Sequence, residues 1–194
     1  MANIVPMVVN STDKTRGDIF STLLNDNIIM LTGQVTSEMA EVIKAQLLYL
    51  ESVDPEKPVD VYIDSPGGSC QAGLSIYDTM KLIKNPVNTI CVGLAASMGS
   101  FLLACGKDCG GKRMITKNSE VLIHQVLIGG NGITGQQTEV KIAYDHMTKT
   151  KEKLTRYLSE FSGQPYEKVY ADCERDHWLT AEEALEYGLV DEIV

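Results

Sequence analysis

Apolar and polar positions along the chain alternate between strand-like runs and helix-like periodicities. Residues 28–32 (Ile-Ile-Met-Leu-Thr) read as a buried strand. Met39, Val42, Ile43, Leu47 and Leu50 then recur at helical spacing, with Thr36 or Ser37 as the N-cap. Residues 59–63 predict a second strand that ends in Asp-Ser-Pro-Gly-Gly-Ser at 64–69. Leu74, Tyr77, Met80 and Ile83 mark a helix over 71–84, stopped by Asn85-Pro86. A third strand is predicted at 87–92, with Gly-Leu-Ala-Ala-Ser-Met-Gly-Ser (93–100) as the turn into the apolar stretch 101–104. A further strand, 120–123, runs directly into His124.

A glycine-rich loop follows, Gly129-Gly130-Asn131-Gly132, with Gly135 just beyond. Val140, Tyr144, Met147, Leu154, Leu158 and Phe161 then keep helical spacing through a long charged segment. Lys and Glu on its other face mark a solvated helix or one that projects toward a partner. Thr180-Ala-Glu-Glu183 has capping-box form, and Gly188 suits a C-cap before a last strand at 189–194. No linker, repeat or low-complexity tract divides the chain, so 1–194 reads as one α/β domain.

Composition narrows the function classes. A chain of 194 residues can bury roughly 70% of its unfolded surface and needs no staple to fold. Acidic residues outnumber basic ones 26 to 17, which repels phosphate backbones and speaks against nucleic-acid binding. No apolar run reaches the length of a membrane span, and the first residues lack the basic region of a secretory signal, so a cytoplasmic protein is expected. Five cysteines at scattered spacings fit reduced thiols better than a disulfide framework. Cys105 and Cys109 have no second pair of sulfurs beside them, and no metal site is expected.

Two corners carry chemistry. Pro66-Gly67-Gly68 leads a strand into a helix with backbone N–H groups unshielded by side chains, a shape that holds an anion or a developing oxyanion, or that serves only as a tight turn. No Gly-Lys-Ser/Thr follows, so a nucleotide loop is unsupported. Ala96-Ser97-Met98-Gly99 keeps the Ser-x-Gly half of a nucleophile elbow, with Ala95 at the first glycine position. The Met98 N–H would then point toward whatever Ser97 attacks. A serine hydroxyl needs a base to take its proton. His146 lies off the apolar stripe of the long helix, and His177 sits beside Trp178 as a packed or surface residue. His124 ends an apolar strand, where side chains reach the functional edge of an α/β sheet or pack as structural residues. An aspartate should orient the imidazole; Asp64, Asp172 and Asp176 are candidates that spacing does not separate.

Together these segments resemble the proteolytic subunits of the Clp protease, a self-compartmentalised serine peptidase. The resemblance runs through Tyr62-Ile-Asp-Ser-Pro-Gly-Gly68, Ser75-Ile-Tyr-Asp-Thr-Met80, Ala95-Ala-Ser-Met-Gly-Ser-Phe-Leu-Leu103, Leu122-Ile-His-Gln125, Glu174-Arg-Asp176 and Glu186-Tyr-Gly-Leu-Val-Asp191. It implies a crotonase-like fold of repeated β-β-α units, an axial segment at 1–17 and a protruding handle over 125–161. It also implies Ser97 as nucleophile, His124 as base, Asp176 as orienting acid, and Gly68 and Met98 as oxyanion-hole donors. Gly129 and Gly130 would flank a bound polypeptide, and no cofactor is implied. Family members stack two heptameric rings into a tetradecamer fed by a separate AAA+ unfoldase, and Glu174-Arg175 resembles the charged pair that senses ring assembly.

The chain departs from the family pattern at Val126, in place of a usual proline, in a longer loop after it, and in an extended 105–111. Asp60, Leu82 and Met114 stand where relatives often carry aromatics, leaving less apolar area for a docking ATPase loop. A secondary or catalytically silent subunit of a mixed ring with a paralogue, and a crotonase-like acyl-CoA enzyme, are the competing readings.

Overall fold

The computed structural model describes residues 6–9, 16–129 and 132–194. A short ribbon of β1 (Met7–Val9) and β2 (Arg16–Asp18) leads into α1 (Ile19–Asn25), capped by the Asp18 carboxylate, which accepts from the Phe20 and Ser21 N–H groups. The body then runs β3 (Ile28–Thr32), α2 (Ser37–Val53), β4 (Val59–Ser65), α3 (Cys70–Leu82), β5 (Val87–Ala96) and α4 (Met98–Ala104). A 3-10 turn (Cys105–Cys109) joins α4 to β6 (Gly110–Ile115) and β7 (Glu120–Ile123). The last third holds α5 (Gln137–Ser162), α6 (Tyr166–Asp172), β8 (His177–Leu179), α7 (Ala181–Tyr187) and β9 (Glu192–Ile193).

The main sheet has the order β3-β4-β5-β6-β9 and is parallel throughout; β7 joins the far half of β5, and β8 pairs antiparallel with β7. β5 does two jobs. Its first half pairs with β4 and β6, while Leu94, Ala95 and Ala96 pair with β7. At the same level the β4 ladder shifts register between Ile63 and Ser65, and Val35 bridges to Gly68. β5 thus carries a second paired segment, and the single Val35–Gly68 bridge continues β3 and β4, before the chain turns into a helix, in keeping with the expected β-β-α repeat of an α/β fold. The predicted third strand therefore runs on to Ala96, because small apolar residues at 94–96 have β7 to pair with.

Helices present apolar stripes to the core: Ala40, Ile43, Leu47 and Leu50 of α2, and Ile76 and Met80 of α3, are buried in one cluster with Val59, Val61 and Ile63 of β4. β3, expected as a buried strand, is an edge strand buried on one side; Ile29 and Leu31 are buried while Met30 is 38% exposed. The final strand is also shorter than expected. Gly188 closes α7 in the left-handed conformation, and Leu189 and Val190 are spent on the core before β9 begins.

α5 stands apart. Its 26 residues extend about 39 Å at the usual helical rise, yet only Thr155 and Leu158 are buried. Its C-terminal half is fixed by an aromatic cluster in which Tyr157 and Phe161 contact Tyr77 of α3 and Phe101 of α4, with ring centroids 5.4–5.9 Å apart. A buried Arg113, 3% exposed, binds the neighbouring termini: its guanidinium donates to Asp191 at 2.6 and 3.0 Å and to the carbonyls of Phe161 and Gly188 at 2.8 Å.

Candidate active site

The sharpest local feature is Ser97, the single residue between β5 and α4. Its φ of 55° and ψ of −118° lie in territory that side-chain-bearing residues rarely adopt. Tertiary bonds hold it there. The Ser97 N–H donates to the Leu122 carbonyl of β7 at 2.9 Å, and its carbonyl accepts from Ser100 Oγ at 2.7 Å and the Phe101 N–H at 3.2 Å. The glycine corner packs directly on this turn. A Cβ added to Gly67 would meet Ser97 Cβ at 2.6 Å and the Met98 nitrogen at 2.8 Å, and one added to Gly99 would meet the Ser65 carbonyl at 2.8 Å.

Gly67 (φ 89°) and Gly68 (φ 152°) turn the chain between β4 and α3, and a Cβ on Gly68 would strike the Val35 carbonyl. The bridge to Val35 uses the Gly67 carbonyl and the Ser69 N–H, at 2.8 Å each. The Gly68 N–H takes no protein acceptor among the described residues. Neither does that of Met98, whose place in the first turn of α4 leaves it unpaired. Gly68, Ser97, Met98 and His124 line one cavity of about 220 Å³.

His124 is half-buried where β7 ends, and its Nδ1 lies 2.5 Å from the Gln125 carbonyl oxygen. A carbonyl only accepts, so Nδ1 carries a proton, and Nε2 is the nitrogen that holds the lone pair when the imidazole is neutral. The three aspartates are separated by their surroundings. Asp64 accepts from the Leu94 N–H at 3.2 Å, and Asp172 accepts from Lys168 and the Tyr187 hydroxyl. Asp176 is exposed, without a hydrogen bond among the described residues. The β7–β8 ladder pairs Val121 with Leu179, Leu122 with Trp178 and Ile123 with His177; His124 and Asp176 are the residues that follow and precede the last pair. Neither the Asp176 carboxylate nor the Ser97 hydroxyl hydrogen-bonds the imidazole in this conformation.

The remaining candidates lie elsewhere. Gly129 is exposed beyond the cavity, and Gly130 lies outside the described residues, as does much of the expected axial segment. His146 is exposed on α5, and the half-buried His177 ring sits 6.2 Å from that of Tyr187.

Two features of the cavity went unread in the sequence. Lys151 of α5 reaches Glu174 Oε2 at 2.9 Å and Gln125 Oε1 at 3.1 Å, over the Tyr170 ring, while Gln125 Nε2 donates to the Glu174 carbonyl at 2.8 Å. The residue whose carbonyl holds His124 is therefore itself clamped. Burial alone pulls Lys151 down, but bonding to Glu174 and Tyr170 outweighs it and holds the ammonium above its usual range; the Lys151 hydrogen bond and charge hold Glu174 below its own. Thr155 also lines the cavity, among Cys70, Phe101, Leu154, Leu158 and Cys173. Burial raises both thiols, Cys173 to about 11, so neither supplies a thiolate beside Ser97.

The fold and this cavity define an α/β protein of crotonase-like β-β-α architecture with a strained serine at its strand–helix turn. A family model described as Clp protease matches residues 11–194, and the chain belongs to the Clp protease family.

Proposed function

We propose that this chain is a serine endopeptidase subunit that hydrolyses unfolded polypeptides inside a barrel of stacked heptameric rings fed by an AAA+ ATPase. The observation that carries the reading is the cavity itself, lined by a strained serine, a histidine whose Nδ1 is turned to the Gln125 carbonyl, and two residues with unpaired N–H groups.

Ser97 Oγ adds to the scissile carbonyl carbon as His124 Nε2 takes its proton; the oxyanion accepts from the Gly68 and Met98 N–H groups. Collapse breaks the C–N bond, His124 returns the proton to the leaving amine, and water then hydrolyses the acyl-enzyme by the same route. Asp176 stabilises the imidazolium once Nδ1–H leaves the Gln125 carbonyl for its carboxylate, one ladder step away. The route needs no metal or organic cofactor. Gly129 and Gly130 would flank the bound polypeptide, since glycines leave the backbone open to pairing with it. α5, with Ile142 and Tyr144 exposed, supplies the contact between rings. No helix among the described residues is long and apolar enough to cross a membrane, which suits a cytoplasmic particle.

The test is hydrolysis of short fluorogenic peptides run beside native mass. Ser97→Ala should abolish cleavage with assembly intact, and His124→Ala should cost about as much, because members of such a relay act as a unit. Undiminished turnover in Ser97→Ala removes the nucleophile. A wild-type particle that assembles but never cleaves favours the silent subunit of a mixed ring.

A further inference from the structure

The cavity beside Ser97 has a hydroxyl used neither by the proposed chemistry nor by the clamp of Lys151, Glu174 and Gln125. Its far walls are the side chains of Cys70, Phe101, Leu154, Leu158 and Cys173, which offer carbon and protonated sulfur. Thr155, on α5, interrupts them. The residue is 4% exposed, and that exposure opens onto this cavity. Thr148 and Thr150 on the same helix return their hydroxyls to the Tyr144 and His146 carbonyls at 3.0 Å; the Thr155 hydroxyl has no partner among the described residues. Lys151, one turn earlier, also borders the cavity, but its ammonium is committed to Glu174 and Gln125.

A hydroxyl that opens onto a cavity loses its solvent partner when a ligand fills the space, so a ligand that supplies a replacement is favoured over an isostere that does not. We propose that Thr155 is a specificity-determining residue, selecting at the cleavage position an uncharged side chain with an apolar stem and a hydrogen-bonding tip. Tyrosine and glutamine are such side chains; phenylalanine and methionine fill similar space and leave the hydroxyl unpaired. Acidic tips are disfavoured, since Lys151, the cation on the cavity wall, already has its carboxylate. The inference rests on the peptidase reading and adds the class of substrate to it.

The experiment measures kcat/KM on matched peptides that differ only in Tyr against Phe, or Gln against Met, at the cleaved position. Wild type should prefer the polar-tipped member of each pair. Thr155→Val, close in shape, should shrink each ratio about three- to tenfold, chiefly by improving the apolar member, as expected for one neutral hydrogen bond. Thr155→Ser, which keeps the hydroxyl, should restore the preference, and Thr155→Ala reads the same ratio if the valine variant folds poorly. Unchanged ratios in variants that still cleave would overturn the role of Thr155 and leave the peptidase intact. Absence of Ser97-dependent cleavage in wild type would overturn both together.

Discussion

At Ser97, the proposed catalysis and the backbone strain meet in one position. The hydroxyl is carried on a turn with positive φ that the chain would leave if its neighbours allowed it, and those neighbours are glycines by necessity. Gly67→Ala should therefore act on both stability and rate. A methyl group there meets the Ser97 Cβ at 2.6 Å and the Ala96 carbonyl at 2.7 Å, so one corner must move. Thermal unfolding should show a loss of about 1–3 kcal/mol, the usual scale for overpacking or an unsuitable backbone conformation. Peptide turnover should fall at least tenfold, since small displacements of a nucleophile are costly. A variant with wild-type turnover would mean that the corner does not set the Ser97 position. The sequence makes much of this legible: Ser-x-Gly and Pro-Gly-Gly are local patterns, and His124 announces itself by ending an apolar strand. Asp176 does not, because only the pairing of β7 with β8, a register set across more than fifty residues, singles it out from the other aspartates. Thr155 is hidden for the opposite reason: a lone threonine beside Leu154 on an amphipathic helix looks like part of the polar face.

Between elements, the least local contacts bear the most weight. Arg113 joins β6, the end of α5, the cap of α7 and the approach to β9 through a single guanidinium. Nothing in Gly-Gly-Lys-Arg-Met-Ile suggests a strand, so β6 was not readable: a buried charge is tolerable only once its partners have been assembled from distant segments. β8 is equally silent, being three residues long. The hydrogen bond and charge of Arg113 hold the Asp191 carboxyl below the ordinary carboxylate range. A carboxyl lowered by folding stabilises the fold above its unfolded value and loses that contribution as the pH falls through the folded one. Asp191→Asn should cost on the order of 3 kcal/mol at neutral pH, moderated because the carboxylate is partly exposed. Its unfolding midpoint should also converge on that of wild type as the solution is acidified. A constant gap between the two from neutral to strongly acidic pH would show that the ion pair is not the source of the loss. The aromatic cluster gives a second measure. Phe101→Ala should cost about 3–5 kcal/mol, as for other large deletions from packed cores, and should loosen α5 where it meets Tyr157 and Phe161.

For the whole molecule, α5 poses the question of what its exposed half meets. A helix of 26 residues with burial confined to one short stretch is longer than its own chain can use. Ile142 and Tyr144, 65% and 57% exposed, leave apolar area on that half that would be better covered. The proposed ring stacking covers it with a second copy of the same helix, and the arrangement is self-complementary, so one substitution alters both sides of each contact. Ile142→Asp should therefore split a double ring into single rings while leaving the fold unchanged, because the residue makes no part of the core. Sedimentation velocity reads the halving of mass, and the thermal midpoint controls for folding. Peptide cleavage should fall in parallel if the clamp of Lys151, Glu174 and Gln125, where α5 meets His124, depends on the helix being held by its partner. Retention of full mass would show that the rings meet through other residues; separated rings with full activity would show that the site is complete within one ring and needs nothing from the facing one.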